Sequence, residues 1–187
     1  MLIKPTDALV VVDPQNDFLP GGSLAVAEGD RIFAPLNRLM PRFSHVYATR
    51  DWHPKNHKYF QAEGGIWPYH CLQGTPGAEF SSQLNASEID AVVSKGVDPE
   101  TDGYSGFAGT DLERRLRADG VGRLFIGGLA TDFCVKATAI EAKQRGFDVV
   151  VLTDAIAAVK LKPEAEDDAL RAMRETGCEL ATSAEVR

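Results

Sequence analysis

Four short segments, far apart in the sequence, each carry a residue that could do chemistry. Each segment contains an apolar run that predicts a β-strand, and the residues at or just after the strand ends are Asp13, the pair Asp51 and His53, Lys95 and Cys134. In an open parallel α/β sheet, the carboxyl ends of the strands border one crevice. We therefore expect a carboxylate, an amine, a thiol and an Asp/His metal-binding pair to meet there. This set indicates a thiol-nucleophile hydrolase with a metal ion beside the nucleophile.

Cys134 lies where a predicted strand passes into a predicted helix. The unpaired amides and the dipole of a helix start favour an anion, which predicts a lowered thiol pKa. The turn before it, residues 127–132, could direct backbone N–H groups into the crevice as an oxyanion hole. The alternative is a small buried residue of the helix, because free cysteine is commonly buried. Cys71 and Cys178 lack this setting and are interpreted as structural.

Asp13 and Lys95 could prepare the thiol for attack. Asp13 follows an apolar run and could act as a general base toward Cys134, although an aspartate there could instead cap the following turn. Lys95 ends a predicted strand and could stabilise the thiolate and the carboxylate together. Its alternative is a solvent-exposed lysine. Neither residue is decisive without the other.

Asp51 and His53 are two residues apart, which puts both side chains on one side of an extended segment. His70 adds a second imidazole, and two imidazoles with one carboxylate suit Zn(II), Fe(II) or Mn(II) while leaving positions open. The alternative is that Asp51 only fixes the tautomer of His53. His57 could be a further ligand or a loop residue, and the loop residue is the favoured interpretation.

Apolar, β-branched runs alternate with helical stretches along the whole chain. The predicted strands are Ala8–Val12, His45–Thr49, Ala91–Ser94, Arg123–Gly127, Asp148–Leu152 and Cys178–Ala181, and the predicted helices are Asp30–Leu39, Thr110–Asp119, Asp132–Arg145 and Pro163–Glu175. The strand runs are nearly continuous, which is typical of strands covered on both faces. The pattern predicts an α/β fold with a doubly wound, mostly parallel sheet of about six strands and helices on both faces.

No linker or repeat divides the sequence, so a single domain over residues 1–187 is expected. The segment from Arg50 to about Glu88 is rich in proline and glycine and shows no helical period. It carries three of the four histidines and both tryptophans. Long irregular loops in compact domains are usually functional, so we expect this segment to contribute to the site.

The bulk composition excludes several classes of partner. The 187 residues carry a net charge of −7 without a basic cluster, which argues against nucleic acid. No apolar run approaches the ~18 residues of a membrane span, and the first residues lack a signal-peptide layout. Three widely spaced cysteines favour a reducing cytoplasm over a disulfide framework. The composition leaves a homo-oligomer open.

Taken together, the motifs resemble the nicotinamidase/pyrazinamidase family within the isochorismatase-like cysteine hydrolases. The resemblance covers roughly residues 7–183, and its most specific stretches are Val-Asp-Pro-Gln-Asn-Asp-Phe, Thr-Arg-Asp-Trp-His-Pro-Lys-Asn-His, Trp-Pro-Tyr-His-Cys-Leu-Gln-Gly-Thr-Pro-Gly-Ala and Leu-Ala-Thr-Asp-Phe-Cys-Val. The cysteine motif alone would indicate only the superfamily. The combination of Asp51, His53 and His70 is what points to nicotinamidase.

The resemblance implies hydrolysis of a small-molecule amide, nicotinamide, to nicotinate and ammonia through a cysteine thioester, in NAD salvage. Asp13 would take the proton of Cys134, and Lys95 would hold both groups in place. The N–H groups of Ala130 and Cys134 would form the oxyanion hole, which a cis peptide at Leu129–Ala130 shapes in this family. Pyrazinamide-type amides are implied as further substrates.

The resemblance also implies how the ring is bound. A divalent ion, zinc before Fe(II) or Mn(II), would sit on Asp51, His53 and His70 and orient the pyridine nitrogen. Some members have one more ligand, which here could be His57 or Glu63. The implied ring-binding residues are Phe18, Leu24, Trp67, Tyr104 and Phe133. The rival interpretation is another hydrolase of this superfamily, acting on a carbamoyl or ureido compound; the metal set argues against it.

Overall fold

The computed structural model describes residues 1–187, and a six-stranded parallel sheet forms its centre. The strands are β1 Asp7–Val12, β2 Val46–Asp51, β3 Ala91–Lys95, β4 Arg123–Leu129, β5 Asp148–Ala157 and β6 Glu179–Ala181. Their spatial order is β3-β2-β1-β4-β5-β6, and every neighbouring pair is parallel. The doubly wound α/β fold expected from the sequence is confirmed.

The sheet is covered on both faces, as the continuous apolar runs predict. Along β1, Leu9 and Val11 belong to one buried cluster, whereas Ala8, Val10 and Val12 belong to the other. The four α-helices are α1 Phe33–Leu39, α2 Leu112–Ala118, α3 Lys136–Gln144 and α4 Ala165–Glu175. Buried side chains of α1 join the first cluster, and those of α2, α3 and α4 join the second. Because strand side chains alternate between faces, the two clusters lie on opposite sides of the sheet.

Most elements differ from their predicted bounds by a few residues, and three show larger differences. The predicted helix at Asp30 begins with a 3₁₀ turn, Gly29–Ile32, and the one at Asp132 begins with a π turn, Thr131–Val135. Strand β5 continues past the polar residues 153 and 154 after a register shift against β4. The Asp154 carboxylate accepts hydrogen bonds from the backbone N–H and hydroxyl of Ser183, which satisfies a polar side chain within the strand.

The strand order places a topological switch between β1 and β4. In such sheets the binding crevice lies outside the carboxyl ends of the strands at the switch. The segment between β2 and β3 folds back near this edge and contains only the short 3₁₀ turns Gln61–Glu63, Pro76–Ala78 and Ala86–Glu88. Single bridges at His53–Leu72 and Phe60–Trp67 join parts of this segment to each other, and one at Gln15–Phe80 joins it to the residues after β1. None of the protein's helices has both the length and the apolar character needed to cross a lipid bilayer.

Candidate active site

Lys95 is the centre of a buried charged group at the carboxyl ends of β1, β2 and β3. Its Nζ lies 2.8 Å from Asp13 Oδ2, 2.5 Å from Asp51 Oδ1 and 3.4 Å from Cys134 Sγ, and it donates a 2.9 Å hydrogen bond to the Gly103 carbonyl. Burial opposes the ammonium, but the two carboxylates raise the pKa of Lys95 well above its usual range. Lys95 is therefore a buried cation whose charge is balanced, and the exposed-lysine alternative is wrong.

Asp13 is held in a fixed orientation behind the thiol. Its backbone has a φ of 48°, a left-handed conformation that few non-glycine residues adopt. The Thr49 hydroxyl donates a 2.7 Å hydrogen bond to Oδ1, whereas Oδ2 faces the Lys95 ammonium at 2.8 Å. Burial raises the pKa of Asp13 to about 6, against the opposing charge of Lys95. A carboxylate that is ionised near neutral pH and held close to the thiol suits a general base.

Cys134 is a neutral thiol at rest, contrary to the expectation from a helix start. It lies within the π turn that precedes α3, only 6 % exposed. Burial raises the pKa of the Cys134 thiol well above its usual range, and the opposing effect of Lys95 does not compensate. The thiol therefore needs a base. Asp13 has a carboxylate oxygen within 4.8 Å of Sγ.

The turn between β4 and Cys134 leaves one amide free to face a substrate. The peptide bond between Leu129 and Ala130 is cis, and the Ala130 N–H donates no hydrogen bond within the protein. Gly128 has a φ of 123°, and a Cβ there would lie 2.1 Å from the Val12 carbonyl oxygen. Only glycine fits this close approach. An unpaired amide four residues before the thiol is what an oxyanion hole requires.

Asp51, His53 and His70 bring their ligand atoms together at the other side of Lys95. These atoms lie within 4.8 Å of one another, with His53 Nε2 3.4 Å and His70 Nε2 4.0 Å from Asp51 Oδ2. The Nδ1 atoms face the carbonyls of Gly96 and Pro68, at 3.0 and 2.8 Å. A proton on each Nδ1 leaves both Nε2 lone pairs free, which is the tautomer that metal ligands need. The donor set therefore fits a divalent ion.

The charge state of this cluster also suits a metal. Burial opposes ionisation of Asp51, but Lys95 and the histidines hold the pKa of its carboxyl well below the usual range. Burial lowers the pKa of His70, so that imidazole is neutral. For His53, the Asp51 carboxylate outweighs burial and raises the pKa. A bound cation would displace the proton that this carboxylate otherwise attracts.

His57 and Glu63 differ as possible additional ligands. The His57 ring is buried beside His53, at 4.5 Å between ring centroids, and burial lowers its pKa to about 4. The Tyr59 N–H donates a 3.4 Å bond to His57 Nδ1, which favours the tautomer with its proton on Nε2, a nitrogen that is buried without a partner. This tautomer is the opposite of that in His53 and His70. Glu63 is exposed and does not line the cavity.

A cavity of about 470 Å³, counting its open mouth, joins the thiol to the imidazoles. All five predicted ring-binding residues line it, namely Phe18, Leu24, Trp67, Tyr104 and Phe133. The Trp67 ring meets Phe133 edge-to-face at 5.0 Å and donates a 2.9 Å hydrogen bond to the Tyr104 hydroxyl. The cavity is thus an apolar slot with few polar groups, the usual form of a small-molecule site.

Several residues near the cavity were not predicted. Tyr59, Phe60, Asp102 and Val159 line it, and His57 does so where a loop residue was expected. Gln15 is fully buried: its amide donates to the Asp51 carbonyl, and its carbonyl accepts from the Asp51 N–H. Gln15 could have been identified from the sequence, because it lies two residues after Asp13 in the same motif. Nothing in the sequence around Val159 marks it as a cavity residue.

The comparisons with known proteins agree with this geometry. An isochorismatase domain matches residues 7–185. The chain belongs to the isochorismatase family. A nicotinamidase of Escherichia coli (strain K12) is 38 % identical over 97 % of both chains.

Two solved structures of similar proteins carry relevant ligands. The first is a pyrazinamidase of Pyrococcus horikoshii in complex with zinc, which is 46 % identical to this protein. The match covers 95 % of this chain and 99 % of the pyrazinamidase, with a TM-score of 0.89. PnC1 from L. infantum, in complex with nicotinate, is 39 % identical over 98 % and 96 % of the two chains, with a TM-score of 0.93. One of these two relatives therefore binds zinc and the other binds nicotinate.

Proposed function

We propose that this protein hydrolyses nicotinamide to nicotinate and ammonia and acts in NAD salvage. The observation that carries the proposal is that the Cys134 thiol, with Asp13 behind it, and an Asp/His/His ligand set open into one apolar cavity. The similarity to a nicotinamidase and to a nicotinate-bound structure supports the same substrate. Pyrazinamide-type amides have the same ring-plus-carboxamide shape and are proposed as further substrates.

The covalent steps use Asp13, Lys95 and Cys134. The Asp13 carboxylate takes the thiol proton, and Sγ attacks the carboxamide carbon. The N–H groups of Ala130 and Cys134 hold the oxygen on which negative charge develops. When the carbon–nitrogen bond breaks, Asp13 returns its proton to the departing nitrogen, so ammonia leaves and a thioester remains. Asp13 then takes a proton from water, and the resulting hydroxide attacks the thioester carbon. The carbon–sulfur bond breaks, Asp13 returns the proton to Sγ, and nicotinic acid leaves and ionises to nicotinate.

Lys95 keeps these charges in place throughout. Its ammonium stays protonated beside Asp13 and Asp51, so the thiolate forms next to a fixed positive charge rather than in an apolar pocket. A preorganised cation stabilises developing negative charge without having to move. Lys95 therefore lowers the barrier for proton transfer without itself exchanging a proton.

Asp51, His53 and His70 would hold the metal ion, with zinc preferred over Fe(II) or Mn(II). When bound, the ion supplies a Lewis-acid contact for the pyridine nitrogen. Phe18, Trp67 and Phe133 enclose the ring and exclude water, which favours a near-attack orientation of the carboxamide. His57 stays outside the ligand set in this proposal, because its tautomer presents an N–H rather than a lone pair.

The test is ammonia release from nicotinamide by the purified protein, before and after chelation. We expect turnover with zinc present, loss of at least ~10-fold after chelation because ring orientation is lost, and recovery on adding zinc back. An N-carbamoyl amine and a ureido compound serve as control substrates. Faster turnover of either control, or full activity of the chelated protein, would contradict the proposal.

A further inference from the structure

The loop that follows β5, residues 158–161, forms part of the cavity wall. Val159 lines the cavity together with Leu24 and Cys134. The next residue, Lys160, has a φ of 58°, a left-handed conformation that glycine adopts freely and lysine does not. Contacts elsewhere in the protein must therefore impose the shape of this wall loop.

The Asp132 side chain makes the contacts that fix the loop. Its Oδ1 accepts a 2.9 Å hydrogen bond from the Val159 N–H, and its Oδ2 accepts one of 2.9 Å from the Lys160 N–H. The residue is 4 % exposed, and the ammonium of the neighbouring Lys160 pairs with Glu166 instead of Asp132. A buried carboxylate satisfied by two backbone amides makes those hydrogen bonds strong and their loss costly.

Ion pairs form a second set of contacts on the outer side of the loop. Glu166, in α4, lies 2.7 Å from Lys160 Nζ and 3.4 Å from Arg31 Nη2. The Lys160 side chain is half exposed and that of Arg31 is 40 % exposed, so these ion pairs contribute little. The conformation of the loop therefore depends on its two hydrogen bonds to the buried Asp132 carboxylate.

We propose that Asp132 is a positioning residue that holds Val159 against the ring of the bound substrate. The inference rests on the proposed function, since it concerns the ring of a nicotinamide-type ligand. Both carboxylate oxygens are engaged by the wall loop, so Asp132 acts on ring binding and not on the proton of Cys134. It links the peptide segment that carries the nucleophile to the wall that selects a flat ring.

The sharpest test exchanges Lys160, whose side chain does not line the cavity. Lys160→Pro removes the N–H that bonds Asp132 and fixes φ at a negative value, whereas Lys160→Gly keeps the N–H and the left-handed conformation. Both variants lose the ion pair to Glu166, so their difference reports the backbone conformation of the wall loop and its hydrogen bond to Asp132. Zinc-loaded proteins are compared by calorimetric binding of nicotinate, by KM and kcat for nicotinamide, and by the rate at which iodoacetamide alkylates Cys134.

We expect Lys160→Pro to weaken nicotinate binding and raise KM by ~5–10-fold, with kcat within ~3-fold and the alkylation rate unchanged. Lys160→Gly should stay within ~2-fold of the parent protein in all of these. Asp132→Asn should act in the same direction as Lys160→Pro, and its effect should shrink in a Val159→Ala background because the wall is already lost.

Equal nicotinate affinity in Lys160→Pro and Lys160→Gly would overturn the inference. An Asp132→Asn variant that lowers only the melting temperature would also overturn it. So would a double variant in which the losses of nicotinate affinity from Asp132→Asn and Val159→Ala simply multiply, because the two residues would then act independently. Failure of the parent protein to bind nicotinate at all would be a different result, because it would remove the proposed function and this inference with it.

Discussion

The two halves of the site are built from different kinds of structure. The thiol half, Asp13, Lys95 and Cys134, comes from strand ends and the turn after β4, where backbone hydrogen bonds fix each residue. The imidazole half, Asp51, His53 and His70, starts at the end of β2 and continues into a segment without regular elements. In the imidazole half, orientation is set by single contacts to carbonyl oxygens.

The halves also differ in how they handle charge. In the thiol half the buried Lys95 cation balances Asp13 and also pairs with Asp51 of the other half, and the nucleophile is kept as a thiol until a base acts. In the imidazole half, lone pairs are left free at the edge of the cavity. Groups that change covalent bonds need defined protonation states, whereas groups that bind a ligand need open positions. The difference predicts that the halves can be damaged separately.

The largest separation is expected from Cys134→Ala. Loss of the nucleophile should lower kcat by at least ~10⁴-fold, because no other group can form the thioester. Zinc content and nicotinate affinity should be retained, since the imidazole half does not use the thiol. Ammonia release in a single turnover, metal analysis and calorimetry give the three readouts. Loss of zinc along with activity would show that the halves are not separable.

The converse change is His70→Ala, with His57→Gln as the matched control. Removing one of three ligands should weaken zinc binding by ~10–100-fold or more and weaken nicotinate binding in parallel, while Cys134 alkylation is unchanged. The control should keep its zinc, because His57 is not among the grouped ligand atoms and its Nδ1 already accepts a bond from the Tyr59 N–H. Zinc loss in His57→Gln equal to that in His70→Ala would place His57 among the ligands.

The smallest expected effect is a shift in the pKa of Asp13 that leaves the rest of the thiol half intact. Because Asp13 must be ionised to accept a proton, kcat/KM should rise with pH through about 6, the raised pKa of that carboxyl. The Thr49 hydroxyl bond stabilises the ionised form. Its loss in Thr49→Val should raise the pKa of Asp13 and move the acidic limb upward by ~0.5–1 pH unit.

Thr49→Ser keeps the hydroxyl and should leave the acidic limb where it is. A limb that stays in place in Thr49→Val, or moves to lower pH, would show that another group controls it. Zinc content is the check that the change has stayed within the thiol half.

Sequence was sufficient for the sheet and for bringing the two halves together. Parallel strand ends must converge, so Asp13, Asp51 and Lys95 could be placed on one edge before any contact was known. The charge state of Cys134 could not be predicted, because the helix-start argument ignores burial, and burial depends on the whole fold. The tautomer of His57 and the role of Asp132 depend on single hydrogen bonds, the latter to residues 27 and 28 positions away. No local pattern encodes such bonds.

Gly96 joins the two halves through one peptide step. It follows Lys95, its carbonyl faces His53 Nδ1, and a Cβ on it would lie 2.3 Å from His53 Cε1. Any side chain here would push the imidazole and the lysine backbone at once. A substitution at Gly96 would therefore disturb ligand binding and bond cleavage together. New substrate preferences are more accessible to evolution or engineering in the segment after β2 and in the wall loop, where a change affects ligand binding without moving Lys95.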